Sequence, residues 1–210
     1  MFSRLSGGTL LAAIAALSSI LASAASAAGD PVIGQKKFYT CVGCHGIPDY
    51  KNAYPDYSVP KLRHQHAAYI VAALTEYKTG QRPHPTMHAQ ASSLSDQDME
   101  DIAAYLQGEP AHPSAKSVGT APPQAAACTA CHGPNGLGVD APLSPKPPVL
   151  AGQHVDYLEQ ALTTYRNGRR KNAVMSGMAQ ILQNEADIKI VAAYFAAQPS
   201  PLATAAPSGK

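Results

Sequence analysis

Every cysteine of this 210-residue chain lies in one of two motifs of the form Cys-x-x-Cys-His. The motifs are Cys41-Val-Gly-Cys44-His45 and Cys128-Thr-Ala-Cys131-His132. In such a motif the two thiols add across the vinyl groups of a porphyrin, and the histidine that follows becomes an axial ligand of the iron. The cysteines and histidines of both motifs are therefore the predicted cofactor-binding residues, and the predicted cofactors are two covalently bound haem c groups.

Three other kinds of site also use closely spaced cysteines: a thioredoxin-like redox pair, a zinc site and a structural disulfide. A zinc site needs four ligands in one cluster, whereas the two motifs begin 87 residues apart and each has its own histidine. A thioredoxin-like pair needs a βαβ context, and no segment alternates as a strand does. Repetition of the whole motif, with no cysteine left over, favours haem attachment.

The motifs belong to an internal repeat. Residues 65–87 align without a gap to residues 153–175, and 10 of the 23 positions are identical. The alignment continues, with one inserted residue, from Leu94 and Leu182 into a segment ending in Ala-Ala-Tyr. Because one Cys-x-x-Cys-His motif opens each copy, the chain is predicted to be a duplicated haem domain.

The second axial ligand of each iron decides whether the haem transfers electrons or binds substrate. Met87 and Met175 are equivalent in the repeat, whereas Met99 and Met178 have no methionine counterpart. Since His/Met is a common pair of haem ligands, we predict one such pair in each copy. The predicted metal ligands are His45, Met87, His132 and Met175.

In the first copy two histidines flank Met87, namely His84 and His88, where the second copy has Asn172 and Ser176. A histidine in place of Met87 is therefore an open alternative for that copy. The repeated His66 and His154 are interpreted mainly as polar residues at helix starts, with a hydrogen bond to a haem propionate as the alternative.

Other repeated residues are candidates for contacts around the haem. The carbonyl of Pro60 or Pro148 could accept the Nδ1 hydrogen of the ligand histidine, which would orient the ring. An equally good interpretation is that each proline ends a loop. Six side chains could hold propionates or serve only for packing: Tyr69, Tyr77, Arg82, Tyr157, Tyr165 and Arg170.

The elements that position these residues are predicted to be helices. Apolar residues recur at spacings of three and four from Tyr69 and from Tyr157, and Gly80 and Gly168 are predicted to end the two helices. A further helix is predicted to start at Ser95, in a capping box whose acidic residue is Asp98. The predicted fold class is all-α, with two tandem domains, each a few helices wrapped around one covalent haem.

The predicted organisation has five parts. They are a signal peptide (1–28), domain 1 (29–107), a linker (108–120), domain 2 (121–198) and a flexible tail (199–210). The signal peptide is indicated by Arg4, the apolar residues 10–21 and an Ala-x-Ala cleavage pattern at residues 25–27. This predicts export to the periplasm, and the mature chain is expected to have no transmembrane span.

Charge excludes one class of partner. Without Arg4 the chain has 15 Lys plus Arg and 14 Asp plus Glu. Four haem propionates would make the assembled protein mildly acidic, so no nucleic-acid partner is expected, because such partners normally go with a strong basic excess.

Taken together these residues resemble the tandem class I cytochrome c domains of the cytochrome c₄ type. The resemblance rests on both Cys-x-x-Cys-His motifs, the Pro-x-Leu before Gln-His, the tyrosine-bearing helix ending at glycine, the methionine seven residues before leucine, and the final Ala-Ala-Tyr. Two departures stand out. The segment before the second motif lacks the aromatic residue that Phe38 supplies in the first, and His64 stands where the second copy has Gly152.

The resemblance implies a soluble periplasmic carrier of electrons between respiratory redox partners, with two low-spin His/Met haems and no catalytic residue of its own. Its partners would be redox protein donors and acceptors, such as a terminal oxidase or a membrane cytochrome complex. One alternative is the electron-accepting haem subunit of a dehydrogenase complex such as a flavocytochrome. Another is a two-haem peroxidase, which would need one displaceable ligand.

Overall fold

A computed structural model describes residues 28–54, 56–109, 115–139 and 146–205. Within these ranges the chain is helical, and its only β pairings are two isolated bridges, Lys51 with Ser58 and Arg63 with Ala203. The all-α prediction is confirmed. The helices are α1 (Pro31–Lys37), α2 (Val42–His45), α3 (Ala67–Lys78), α4 (Pro85–Ser92), α5 (Asp96–Gln107), α6 (Thr129–His132), α7 (Val155–Arg166), α8 (Ala173–Gln180) and α9 (Glu185–Ala196).

The predicted signal peptide lies outside the described residues except for Ala28, and so do residues 110–114 of the predicted linker. None of the described helices is both long enough and apolar enough to cross a membrane.

Local sequence signals explain where the helices begin and end. Ser95 and Asp98 form the predicted capping box at the start of α5, since each side chain bonds to the backbone N–H of the other residue. Gly80 and Gly168 follow α3 and α7 with φ of 75° and 73°, a left-handed conformation that favours glycine over other residues. The repeat thus gives the same helix and the same stop in both domains.

Each domain has its own apolar core. In domain 1, Phe38 packs on Tyr105 with ring centroids 5.6 Å apart, beside the buried Ile70, Ile102 and Leu106. In domain 2, the equivalents of the last three are Leu158, Val191 and Phe195. The predicted covalent haem would add apolar volume to these small cores, which at about 80 residues each are otherwise marginal.

The two domains differ at their first element, where domain 2 lacks the aromatic residue that Phe38 supplies in domain 1. Domain 1 begins with α1, which packs closely on α5: an added Cβ on Gly34 would lie 1.9 Å from the carbonyl oxygen of Asp101. The described part of domain 2 has only a three-residue 3₁₀ turn, Pro123–Ala125, in the corresponding place. Its Ala125 is nevertheless completely buried in the core of domain 2.

Two glutamine side chains join the domains by the same contact made twice. The amide of Gln65 accepts from the N–H of Val149 at 2.8 Å and donates to its carbonyl at 3.0 Å. The amide of Gln153 makes the same pair of bonds with Lys61, at 3.0 and 3.1 Å. Since Lys61 and Val149 are themselves equivalent in the repeat, the domains are related by an approximate two-fold arrangement.

The segment after domain 2 returns to domain 1. Ala203 forms the bridge with Arg63, and Ala205 is completely buried in the core of domain 1. The N–H of Ala205 donates to the carbonyl of His45 at 2.8 Å. Within the predicted tail, Leu202 and Ala205 are buried, and residues 206–210 lie outside the described part of the chain.

His64 does not alter the loop in which it lies. Its φ is 63°, and that of the equivalent Gly152 is 62°. Both N–H groups donate to the same helix position, His64 to Leu106 and Gly152 to Phe195. In domain 1 the backbone at His64 therefore has a left-handed conformation that suits glycine and is strained for a residue with a side chain.

Candidate haem sites

The two predicted ligand histidines are held in the same way. Each ends a short helix and is buried, with 9 % of His45 and 5 % of His132 exposed. The Nδ1 of His45 lies 3.1 Å from the carbonyl oxygen of Pro60, and that of His132 lies 3.1 Å from the carbonyl oxygen of Pro148. Of the two interpretations of these prolines, the geometry supports a hydrogen bond.

This hydrogen bond determines the chemistry of the rings. A carbonyl oxygen can only accept, so Nδ1 carries the hydrogen and Nε2 keeps its lone pair for a metal. Burial lowers the pKa of His45 to about 4 and lowers the pKa of His132 in the same direction. Both rings are therefore neutral near pH 7, which is the state that a metal ligand requires.

The four thiols are free and half-buried, and none is paired in a disulfide. Burial raises the pKa of Cys41 and of Cys128. No group of three or more His, Cys, Asp or Glu side chains suited to a metal ion occurs in the described residues. Each pair of thiols lies beside a predicted ligand histidine, as covalent haem attachment requires.

A cavity of about 1340 Å³, measured out to its open mouth, lies beside α2 in domain 1. Cys41, Cys44 and His45 line it, and so does Met87 from α4. Most of the remaining lining is apolar or aromatic and includes Phe38, Val59, Leu62, Ile70, Leu74 and Leu106. A flat, largely apolar group with thiol attachment points fits the lining of this open cavity.

The helices that carry Met87 and Met175 begin with equivalent caps. The Met87 N–H donates to Nδ1 of His84 at 3.3 Å, and the Met175 N–H donates to Oδ1 of Asn172 at 3.0 Å. Both methionines are half-buried in the third position of their helices. The repeat therefore places the two thioethers by the same local structure, although the capping residue differs.

The other candidate ligands in domain 1 are engaged elsewhere. His84 lines the cavity, but its Nδ1 accepts a hydrogen bond, so in the neutral ring Nε2 carries the hydrogen and offers no lone pair. Nδ1 of His88 lies 2.9 Å from the carbonyl oxygen of Tyr77, on an exposed side chain. Met99 is 1 % exposed in the core, where the Thr75 hydroxyl contacts its sulfur at 3.7 Å.

Two arginines and their tyrosine partners meet between the domains. Arg82 donates to Tyr157 of the other domain, and Arg170 donates to Tyr69 of the other domain at 3.0 Å. Arg82 also lies 3.4 Å from Tyr69. Each guanidinium additionally covers a tyrosine ring of its own domain, Arg82 over Tyr77 at 4.5 Å and Arg170 over Tyr165 at 4.3 Å. We call these two arginines and four tyrosines the Arg–Tyr clasp.

The clasp is buried and positively charged. Arg82 is 6 % exposed and Arg170 is 4 % exposed. Burial raises the pKa of Tyr69, but the two guanidinium charges outweigh it, and the net shift is downward. Buried cations are costly without anions beside them, and Arg82 and Tyr157 also line the domain 1 cavity. The clasp therefore presents a cationic edge to that cavity, which suits a cofactor that carries carboxylates.

The repeated histidines His66 and His154 precede α3 and α7, but neither side chain caps its helix. The neighbouring glutamines accept from these backbone N–H groups instead, Gln65 from His66 at 3.0 Å and Gln153 from His154 at 3.1 Å. Sequence reasoning missed the glutamines, although the repeated Gln-His pair was a visible signal.

Three comparisons with known proteins bear on this geometry. A family model described as Cytochrome c matches residues 32–109 and again residues 123–197. Cytochrome c4 of Stutzerimonas stutzeri is 36 % identical over 201 residues, which cover 81 % of this chain and 90 % of that protein. The thiosulfate dehydrogenase electron acceptor of S. stutzeri strain A1501 is 34 % identical over 173 residues, covering 74 % of this chain and 77 % of that protein.

A solved structure gives the same result. The crystal structure of reduced recombinant cytochrome c4 from Pseudomonas stutzeri superposes with a TM-score of 0.62 at 33 % identity. The match covers 82 % of this chain and 100 % of that structure. Sequence and fold therefore place the chain beside the same two-domain proteins.

Proposed function

Because the chain belongs to the cytochrome c family, within its di-haem cytochrome c4 group, we propose that each of its two haems is held between a histidine and a methionine, His45 with Met87 and His132 with Met175. The protein is an electron carrier with two covalent haem c groups. We further propose that it works in the periplasm between respiratory redox partners, after removal of residues 1–28.

The observation that carries this proposal is the wall of the domain 1 cavity. Two thiols, a neutral histidine with its Nε2 lone pair available and a thioether line one space that is otherwise largely apolar. Haem c, when attached, supplies a one-electron iron couple. The proline carbonyl accepts from Nδ1 of the histidine and so leaves the lone pair of Nε2 available, and a helix cap fixes the start of the helix that carries the methionine. With both axial positions taken by side chains, transfer of electrons is favoured over binding of substrate.

The Arg–Tyr clasp supports a second part of the proposal. Its buried guanidiniums and hydroxyls would be suited to hydrogen-bond carboxylates such as haem propionates at the domain boundary. Each clasp arginine contacts a tyrosine of the other domain, and electrons would therefore pass between haems across this boundary.

The ligand assignment is tested by optical spectroscopy of the ferric protein, in which methionine sulfur bound to iron gives a weak far-red band. We expect Met87→His and Met175→His each to remove half of this band while two haems stay attached. Met99→Leu and Met178→Leu are matched controls that should leave the band unchanged. A full band in Met87→His, or a loss in Met178→Leu, would contradict the assignment.

A second candidate function is favoured by one comparison, the similarity to a thiosulfate dehydrogenase electron acceptor. In that role the chain would accept electrons as the haem subunit of a dehydrogenase complex. Affinity purification from the native organism separates the two functions. Recovery of the chain alone supports the free carrier, and recovery of a stoichiometric dehydrogenase supports the subunit role.

A further inference from the structure

The residues of the Arg–Tyr clasp are the same in both copies of the repeat, but the helix residue that bonds to the backbone of each clasp arginine differs. Each arginine backbone N–H donates to the carbonyl of a helix residue six positions earlier, Arg82 to Glu76 and Arg170 to Thr164, both at 3.0 Å. Glu76 and Thr164 are equivalent in the alignment. One domain thus offers a carboxylate to the clasp where the other offers a hydroxyl.

The carboxylate of Glu76 acts across the boundary. Its Oε2 lies 4.0 Å from Nε of Arg170, and the two side chains are 17 % and 5 % exposed. The hydroxyl of Thr164 instead donates within its own helix, to the carbonyls of Gln160 and Ala161 at 2.8 and 3.0 Å. Among the ion pairs of the described residues none includes Arg82. Glu76 therefore pairs with Arg170 without a hydrogen bond, whereas Arg82 has no ion-pair partner among the described residues.

The two arginines occupy equivalent positions in the two domains. Arg82 lines the domain 1 cavity together with His45 and Met87. Arg170 has the equivalent backbone bond and the equivalent ring contact in domain 2. A nearby positive charge favours the reduced state, since reduction removes one positive charge from the site, and a carboxylate opposes this effect.

We propose that Glu76 sets an electrostatic difference between the two haem sites, because it offsets the charge of Arg170 on domain 2 while Arg82 keeps its full charge on domain 1. Glu76 is thus a tuning residue for the order in which the two sites take up an electron. This inference rests on the proposed two-haem carrier function. It assigns a role to a residue outside the haem-attachment motifs and outside the axial ligands.

The test is a redox titration in which the methyl signals of Met87 and Met175 report each domain separately by NMR. In Glu76→Gln we expect the reduced-to-oxidised ratio of domain 2, at fixed ambient potential, to rise by about threefold to tenfold. Domain 1 should change less. In Thr164→Glu, which places a carboxylate towards Arg82, the ratio of domain 1 should fall by a similar factor.

Two further variants separate charge from structure. Glu76→Asp keeps the carboxylate and should keep the wild-type ratios. Glu185→Gln removes an exposed carboxylate of domain 2, and any small change it causes should vanish at high salt, whereas the effect of the half-buried Glu76 should persist. If Glu76→Gln retains two haems and the far-red band but leaves both ratios unchanged, or shifts both equally, this inference is overturned. Absence of the far-red band from the wild-type protein would instead overturn the proposed ligation by methionine.

Discussion

Domain 1 and domain 2 hold their histidines by the same contact but surround them differently. His45 and His132 each lie 3.1 Å from a proline carbonyl oxygen. The carbonyl of His45 accepts from Ala205 of the returning segment, whereas the carbonyl of His132 accepts from Gly138 of its own loop, both at 2.8 Å. The duplication has therefore kept the histidine–proline contact and allowed the support around it to change.

The difference shows which contacts the duplicated domain can exchange. The thiols, the histidine, the proline carbonyl and the capped methionine occur in both copies. Four features differ between the copies: the first helix, the capping residue of the methionine helix, the partner of the histidine carbonyl, and the residue at the position of Glu76. Domain 1 depends on distant segments for support that domain 2 draws from its own loop.

The largest loss of stability should come from removing the glutamine contacts, which are equivalent in the two domains. Gln65→Leu leaves the buried N–H and carbonyl of Val149 without partners, and Gln153→Leu does the same to the half-buried groups of Lys61, at a cost of about 2–4 kcal/mol each. Calorimetry of the haem-loaded protein measures this loss. Gln124→Leu, which removes one long contact of 3.4 Å within domain 2, is the control and should cost less. Clearly unequal costs for the two glutamines would break the symmetry argued here.

The returning segment should matter to domain 1 more than to domain 2. Ala205 has no room for a larger side chain, so Ala205→Leu should destabilise domain 1 by about 1–3 kcal/mol. Thermal unfolding followed by the far-red band should show an earlier transition for half of the signal. Ala203→Leu, at an exposed position two residues before, should have little effect. A single uniform shift of both halves would show that the segment does not act on domain 1 selectively.

The caps of the methionine helices should be interchangeable. Because His84 and Asn172 accept the same kind of backbone bond, His84→Asn should keep the stability of domain 1. His84→Ala and Asn172→Ala should each cost about 1 kcal/mol and weaken the far-red band of one domain on warming. Equal behaviour of His84→Asn and His84→Ala would show that the histidine has another role in domain 1.

The smallest expected effect is on the stability of domain 1 at low pH. Lys37 and the Ser95 backbone lower the pKa of Asp98 from 3.8 to about 2. This stability is present above pH 3.8 and is lost as the pH falls through about 2, and exposure to solvent limits it to about 1 kcal/mol or less. Acid titration of Asp98→Asn should lose this dependence in domain 1, while Asp96→Asn, which lacks the Lys37 contact, should retain it. An unchanged acid transition in Asp98→Asn would contradict the assignment.

Much of the fold and of the candidate site could be predicted from the sequence, because the signals are local. The motifs, the glycine helix stops and the Ser95 capping box depend on neighbours within a few residues, and Met87 and Met175 are selected by the repeat, which the sequence also shows directly. The glutamine contacts, the position of Ala205 and the pairing of Glu76 with Arg170 join residues 84 or more positions apart. Sequence periodicity does not predict such contacts, because they depend on how the two copies pack against each other.

The central claim is that both domains hold their haem by the same pair of ligands despite their different surroundings. The most direct measurement is the proton NMR spectrum of the fully reduced protein, in which the ring current of the haem shifts a bound methionine methyl far upfield. Two such methyl signals of equal intensity are predicted, one lost in Met87→His and the other in Met175→His. A single signal, or two that both survive either substitution, would contradict the claim.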